Sequence, residues 1–300
     1  MALTFQKLFP VAARLTMMSP KLQFAPQRVP DPQRVTVPTR HGDMTALLYT
    51  PAAEDIDRQH RAGGPPPVHL LLHGGAFVVR HPEHEDNVAR YVAGALGAYV
   101  VVPDYDVGPQ VGYPVAEQQS YDAYLWVRDQ ADTRGWDVGR VSIGGASAGA
   151  KLALSVIVQA LQDGRPTPVA ASLEYGLSDI SLPDDTRTSP KRMPVVGPWM
   201  LRMVRNTYFL DADLTDPVLS PGRYHGLGDF PPLLILTGGI DTLRHDMRDL
   251  ADRARTAGAD VTFHEFPGAD HGFTHVKPTE TARTAIAMVG DHLRAAYDQP

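Results

Sequence analysis

The sequence predicts an α/β protein in which a mostly parallel sheet is covered by helices on both faces. Short apolar segments alternate along the chain with longer stretches of helical periodicity, an order typical of parallel sheets. Most of these segments are apolar throughout, as expected of strands buried on both faces. The sheet is expected to have eight strands. They are predicted at 34–38, 44–50, 68–73, 98–103, 140–145, 169–175, 232–239 and 261–266.

The remaining chain completes this pattern. The first two strands alternate polar and apolar residues and are expected to pair antiparallel at one edge of the sheet. Helices are predicted at 84–97, 114–132, 148–163 and 277–297, with one more between the last two strands. The polar and then Gly/Pro-rich stretch 52–67 is expected to be a surface loop. A length of 300 residues fits a single domain.

One segment, residues 178–224, shows no strand pattern. Within it, "GPWMLRMVRNTYFL" (197–210) has apolar residues at helical spacing, including Trp199, Met203 and Tyr208. Two interpretations remain open: a peripheral helix of the core, or a cap over a functional site, since insertions at strand ends often build lids.

Composition excludes several classes of function. The net charge of −6 comes without a basic cluster, which argues against nucleic-acid binding. The absence of cysteine excludes disulfides, thiolate metal sites and a cysteine nucleophile.

The first twenty residues predict neither a secretory signal nor a membrane span. Lys7, Pro10 and Arg14 interrupt the apolar run, so a cytoplasmic location without stable membrane insertion is expected. Five apolar residues fit a short helix lying on the protein. They are Phe5, Leu8, Phe9, Ala12 and Leu15.

A glycine-rich turn follows the predicted strand at 140–145. A phosphate-binding P-loop is disfavoured because Lys151 comes one position late and no hydroxyl residue follows it. The dinucleotide fingerprint is absent. The turn instead fits a nucleophile elbow, G-x-S-x-G, in which Gly145 and Gly149 flank Ser147 and leave room for the sharp turn. On this interpretation Lys151 is an incidental residue of the following helix.

An elbow serine needs an oxyanion hole, and "HGGAF" (73–77) can supply one. Gly74 and Gly75 follow a buried strand and allow the backbone to turn its N–H groups inward. His73 ends that strand and is expected to order the loop. The alternative is an ordinary βα turn.

The serine also needs a base, and His271 is the best candidate among twelve histidines. It lies just past the last strand in a flexible, Gly-flanked loop. His264 lies inside that strand, where pleating fixes its direction, and is expected to pack or face solvent. The stretch "HPEHED" (81–86) has His-x-x-His spacing without a helical metal-site context, so a solvated loop is expected there and no metal is predicted.

Asp241, directly after the strand at 232–239, is favoured as the acid that orients the base. Glu174 ends the preceding strand and is the rival. Asp270 adjoins the histidine and is expected to face away, and Asp246 is expected inside a helix.

Several motifs in order resemble the hormone-sensitive-lipase-like carboxylesterases, a branch of the α/β-hydrolases. The segments that carry the resemblance are "HGGAF", "PDYDVGPQ" (103–110), "GASAGA" (145–150), "SP" (220–221), "DTLRHD" (241–246) and "HGF" (271–273). The resemblance implies an α/β-hydrolase fold with a small helical cap from about 1–33 and 178–224. It also implies a triad of Ser147, His271 and Asp241, whose chain order fits that fold. The implied oxyanion donors are the backbone N–H groups of Gly75, Ala76 and Ala148.

The family implies hydrolysis of small-molecule esters with short to medium acyl chains, no cofactor, and often a homodimer. Trp199, Met203, Phe5 and Phe9 hint at a hydrophobic acyl pocket. Alternatives are a non-catalytic receptor on the same fold, or an amidase, lactonase or acyltransferase using the same site.

This chain departs from the family pattern at several positions. Ala76 stands in place of the third glycine, and its N–H remains a donor if its φ is negative. Where the family often has the motif GDSAGG, this chain has Ala146 and Ala150. Asp106 and Gln110 stand where the family has arginine and glutamate, so loss of a supporting ion pair is expected.

Overall fold

The computed structural model describes residues 2–4, 6–7, 19–61 and 64–299, and eight strands in this part of the chain form one sheet. The strands are β1 (Gln33–Thr39), β2 (Gly42–Tyr49), β3 (Val68–Leu72), β4 (Tyr99–Pro103), β5 (Val141–Ala146), β6 (Ala171–Glu174), β7 (Leu233–Gly238) and β8 (Val261–Phe266). They are arranged β1-β2-β4-β3-β5-β6-β7-β8. β2 pairs antiparallel with both β1 and β4, whereas all other pairs are parallel. The predicted mostly parallel sheet with an antiparallel pair at one edge is confirmed.

The strand side chains alternate between two hydrophobic cores, one on each face of the sheet. In β3, Leu70 and Leu72 contribute to one core, while Leu71 between them contributes to the other. All three are fully buried. This two-sided burial explains why the central strands are apolar throughout rather than alternating.

Helices cover both faces. They are α1 (Ala53–Arg61), α2 (Asp86–Leu96), α3 (Val115–Asp129), α4 (Ala131–Arg134), α5 (Ala148–Gln162), α6 (Pro198–Arg205), α7 (Arg244–Ala257) and α8 (Thr279–Tyr297). Residues of α3, α5 and α7 form one core with the sheet, and residues of α2 and α8 form the other. Short 3₁₀ turns connect several of these elements.

The expectation of a loop at 52–67 is wrong, because α1 occupies much of it. Its first turn is acidic and its last turn is basic, which favours a helix through the helix dipole. Polar contacts dock it: Asp55 accepts a hydrogen bond from Gln27 at 2.7 Å, and Gln59 donates to the carbonyl of Leu96 at 3.1 Å. Few apolar residues take part, so hydrophobic periodicity does not reveal this helix.

The segment 178–224 contains no strand within the described chain, as predicted, and its helical stretch forms α6. Residues 2–4 and 6–7 are helical, but the expected contacts of Phe5, Leu8, Phe9, Ala12 and Leu15 lie outside the described residues. Among the helices that the structure describes, none is both long and apolar enough to cross a membrane.

Candidate active site

Ser147 lies in a strained turn between β5 and α5. Its φ of 56° and ψ of −118° are unusual for a residue with a side chain. Backbone approaches on both sides enforce glycine: a Cβ on Gly149 would overlap the carbonyl group of Leu72, and a Cβ on Gly145 would overlap the backbone of Gly149. The small residues of this motif therefore allow strand, turn and helix to pack with the serine at their junction.

The structure brings Ser147, His271 and Asp241 into one chain of hydrogen bonds. His271 Nε2 lies 2.8 Å from Ser147 Oγ, and His271 Nδ1 lies 2.9 Å from Asp241 Oδ2. Asp241 is fully buried, and its other oxygen accepts the backbone N–H of Leu243 at 3.0 Å. This arrangement fixes Nδ1 as the nitrogen that donates to the carboxylate and leaves Nε2 to accept the serine proton.

Glu174 makes no hydrogen bond to His271. Its carboxyl group is fully buried, without a hydrogen-bond partner for either oxygen among the described residues. Burial, with the nearby charge of Glu85, raises the pKa of Glu174 well above its ordinary value. Its backbone carbonyl accepts the N–H of Ser147 at 2.9 Å, so the residue supports the elbow through its main chain.

Two other acids lie away from the imidazole. Asp270 turns back to accept the N–H of His271 at 2.8 Å, and its second oxygen accepts from Lys191 at 2.8 Å. Asp246, inside α7 as expected, accepts from Ser178 at 2.6 Å and from Arg187 at 3.1 Å.

The loop after β3 brings Gly75 and Ala76 to the serine, where both line a cavity together with Ser147. Within the described residues, no hydrogen bond occupies the N–H of either one. Ala148 is the first residue of α5, so its N–H has no acceptor within the helix. Ala76 does not meet the condition of a negative φ, because its φ is 52°, and Gly75 also has a positive φ of 143°. The loop is held in this turn because Val78 and Val79 both donate to the carbonyl of Gly75, each at 3.0 Å.

His73 and Gly74 anchor the start of this loop. His73 Nδ1 lies 2.6 Å from the carbonyl oxygen of Gly74, and its ring stacks on Tyr105 with centroids 4.1 Å apart. The Tyr105 hydroxyl donates to the carbonyl of His73 at 2.5 Å, and the N–H of Gly74 donates to Glu85 at 3.1 Å. Burial lowers the pKa of His73, which keeps its imidazole neutral.

Asp106 forms an ion pair in this structure, but its partner is Arg80 and not a residue at position 110. Asp106 pairs with Arg80 at 2.7 Å, and Arg80 pairs with Asp104 at 2.9 Å. Ion pairs of this chain therefore support the loop around Asp106, and the loss of the family's own pair stays a prediction. Gln110 exchanges hydrogen bonds with Gln6 at 2.9 and 3.0 Å.

Lys151, expected to be incidental, is completely buried and paired with Glu117 at 2.5 Å. Its ammonium also lies 5.7 Å from the ring centroid of Phe209. The hydroxyl of Tyr208 donates to the second Glu117 oxygen at 2.6 Å. The lysine is therefore part of a buried polar cluster beneath the elbow helix. The sequence did not reveal this role because its partner, Glu117, lies 34 positions earlier in the chain.

The stretch 81–86 is not a solvated loop. Pro82–Glu85 forms a 3₁₀ turn in which His84 and Glu85 are buried. Glu85 lies 3.3 Å from His275, and the rings of His84 and His275 stack with centroids 4.3 Å apart. These three side chains are the one grouping of possible metal ligands in the described part of the chain. His264 lies apart from the serine, with its ring against Phe266.

An apolar cavity adjoins Ser147 on the side of the 178–224 segment. Sequence reasoning missed most of its lining because the residues come from loops and from one face of α6. The apolar lining comprises Ala76, Phe77, Ala148, Leu177, Ile180, Val196, Met200, Leu201, Val204, Phe209 and Leu243. Trp199 and Met203 do not line this cavity, and Phe5 and Phe9 lie outside the described residues.

Comparisons with known proteins agree with this geometry. A family model described as the alpha/beta hydrolase fold matches residues 69–275. An acetyl-hydrolase of Streptomyces hygroscopicus is 34% identical over 231 residues, which cover 76% of this chain and 75% of that protein. Esterase LipI of Mycobacterium tuberculosis is 31% identical over 230 residues, covering 74% and 71% respectively. A hyperthermophilic esterase from the archaeon Pyrobaculum calidifontis has a similar structure, with a TM-score of 0.87, 26% identity, and coverage of 100% of this chain and 95% of that one.

The sheet order and the serine elbow define an α/β-hydrolase fold, and the chain belongs to this family, in its hormone-sensitive-lipase-like branch. Within that branch, the predictions of a carboxylesterase family member and of a serine hydrolase of ester bonds are confirmed.

Proposed function

We propose that this protein hydrolyses carboxylic esters with short to medium acyl chains, with Ser147 as nucleophile, His271 as general base and Asp241 as the acid that orients it. The observation that carries the proposal is the hydrogen-bonded chain from Asp241 through His271 to Ser147, which ends beside an apolar cavity. The acetyl-hydrolase and esterase names of the relatives support the same class of substrate.

Acylation begins when Ser147 Oγ attacks the ester carbonyl carbon. His271 Nε2 accepts the serine proton, and Asp241 stabilises the imidazolium that forms. Collapse of the tetrahedral intermediate breaks the bond to the alcohol oxygen, which takes the proton from His271. Water then attacks the acyl-enzyme, with His271 again as base. Collapse of this second tetrahedral intermediate releases the carboxylic acid and free Ser147, which takes the proton back from His271.

The oxyanion of each tetrahedral intermediate would be held by the N–H groups of Gly75, Ala76 and Ala148. A single donor of this kind is worth about 3 kcal/mol in comparable sites. The positive φ of Ala76 is compatible with this role because the loop is tied down through Val78, Val79 and the Gly74–Glu85 contact.

We further propose that the 178–224 segment is a cap belonging to the same domain. Its residues from Ile180 to Phe209 supply much of the wall of the apolar cavity, and Arg187 ties the segment to Asp246 of α7. An acyl chain fits an apolar wall of this kind, because desolvation of the chain favours binding.

A series of p-nitrophenyl esters from acetate upward tests the substrate class, and an organophosphonate tests the nucleophile. We expect turnover of the short esters and one label per chain, on Ser147. Ser147→Ala should lose both turnover and label. Ser155→Ala, a matched change on the same helix at a serine that donates to the carbonyl of Lys151, should keep both.

Wild-type turnover in Ser147→Ala would overturn the role of this serine. Tight binding of a small carboxylic acid without any label would instead indicate a receptor on the same fold.

A further inference from the structure

A buried cluster of two histidines and a glutamate lies outside the hydrogen-bonded chain that contains Ser147. His84, Glu85 and His275 are at most 8% exposed. One ligand atom from each can be chosen so that all three lie within 4.8 Å of one another. Two imidazoles and one carboxylate form a donor set that Zn²⁺ prefers in proteins.

The contact between Glu85 and His275 has a spacing that a shared metal ion would allow. Glu85 Oε2 and His275 Nε2 are 3.3 Å apart, yet neither atom makes a hydrogen bond among the described residues. Two ligand atoms on a tetrahedral zinc, each about 2.0 to 2.2 Å from the ion, lie about 3.4 Å apart. Buried polar atoms without hydrogen bonds are costly, and a shared cation would satisfy both.

The surroundings of Glu85 also suit a metal ligand. Its other oxygen, Oε1, accepts the N–H of Gly74 at 3.1 Å, and carboxylates that bind metals are commonly oriented by such a second contact. All three side chains line a cavity that also contains Ser147 and His271. An ion could enter through this cavity, and water or a substrate group could occupy its fourth position.

We propose that His84, Glu85 and His275 bind one Zn²⁺ ion in the wall of the active-site cavity. The ion has no part in the acyl-transfer steps, because Ser147, His271 and Asp241 complete those without it. The site links the 3₁₀ turn after the oxyanion loop to the loop that carries His271, so bound zinc joins two loops of the active site.

Calorimetric titration of the chelator-treated protein with ZnCl₂ tests the site directly. We expect one ion per chain and a zinc-dependent rise in Tm, since an ion that binds only the folded state stabilises it. Glu85→Gln and His275→Gln should each weaken zinc binding by more than the loss of a residue that only orients a ligand, which typically lowers metal affinity by about 10- to 100-fold. His264→Gln, a matched change on β8 away from the cluster, should bind zinc as the wild type does.

The triad itself contains a histidine and a carboxylate, so His271→Gln is the decisive comparison. Retained binding in His271→Gln supports the proposed site. Loss of binding there, with binding retained in His275→Gln, would place the ion on the triad and overturn the proposal. Absence of zinc uptake and of any Tm rise in the wild type would also overturn it, and this outcome does not depend on the folding of a variant. MgCl₂ serves as the negative control, because Mg²⁺ prefers oxygen ligands.

Discussion

The strand-end loops and the 178–224 segment face the same cavity but are held in different ways. Ser147, Asp241 and His271 lie in the loops that follow β5, β7 and β8, and hydrogen bonds of 2.8 and 2.9 Å join them. The segment above them has no strand within the described chain and is tied down by long side chains, such as Arg187 on Asp246 of α7 at 3.1 Å. The sheet therefore positions the three hydrogen-bonded side chains, while the 178–224 segment supplies part of the apolar wall of the cavity.

The largest effect is expected from a test of which carboxylate, Asp241 or Glu174, orients His271. Asp241→Asn should lower kcat by about 10⁴-fold, because the amide favours the wrong imidazole tautomer. Glu174→Gln should keep kcat near the wild-type value, since the Glu174 carboxyl makes no hydrogen bond to His271. Steady-state kinetics with p-nitrophenyl butyrate measures both, with circular dichroism to check folding. The reverse ranking would give the acid role to Glu174.

The 178–224 segment also contacts the helices beneath it, because Tyr208 donates to Glu117 of α3, which is paired with Lys151 of α5. Lys151→Met leaves the Glu117 carboxylate buried without its cation and should lower the free energy of unfolding by about 3 to 5 kcal/mol. Urea denaturation measures this loss. The double change Lys151→Met/Glu117→Gln should recover part of it, whereas a fully stable Lys151→Met would show that the pair contributes little.

The sequence predicted the strand-end region far better than the segment above it. Local spacing sufficed for the elbow, because Gly145 and Gly149 are required by backbone contact within a few residues. The buried partners of Lys151 and His84 are Glu117 and His275, which are distant in sequence, and no local pattern pairs them. The φ of Ala76 likewise depends on the turn that Val79 closes. The apolar wall was missed because its residues converge only after the segment folds over the sheet.

A smaller effect is expected from narrowing the apolar cavity. Val204→Phe adds bulk to its wall and should reduce kcat/KM for longer acyl chains relative to acetate, by about 10- to 200-fold, which is the range for small changes in apolar pockets. Trp199→Phe, on α6 but outside the lining, is the matched control and should leave the ratio unchanged. The chain-length series measures both, and equal chain-length profiles for Val204→Phe and the wild type would place the acyl chain elsewhere.

The smallest effect concerns Glu174, the strand-end carboxylate that makes no hydrogen bond to His271. Burial raises the pKa of Glu174 in the folded state. Its contribution to the free energy of unfolding is therefore fully present below the ordinary pKa of glutamate, and it is lost as the pH rises towards the folded-state pKa. Between pH 5 and pH 6 the unfolded chain is already ionised at this position. The wild type should therefore lose up to about 1.4 kcal/mol relative to Glu174→Gln over that single unit. Urea denaturation of both proteins at the two pH values isolates this difference, because every other titrating group is shared. A constant difference between them would mean that the Glu174 carboxyl titrates alike in the folded and unfolded chains, and that its burial has no electrostatic cost.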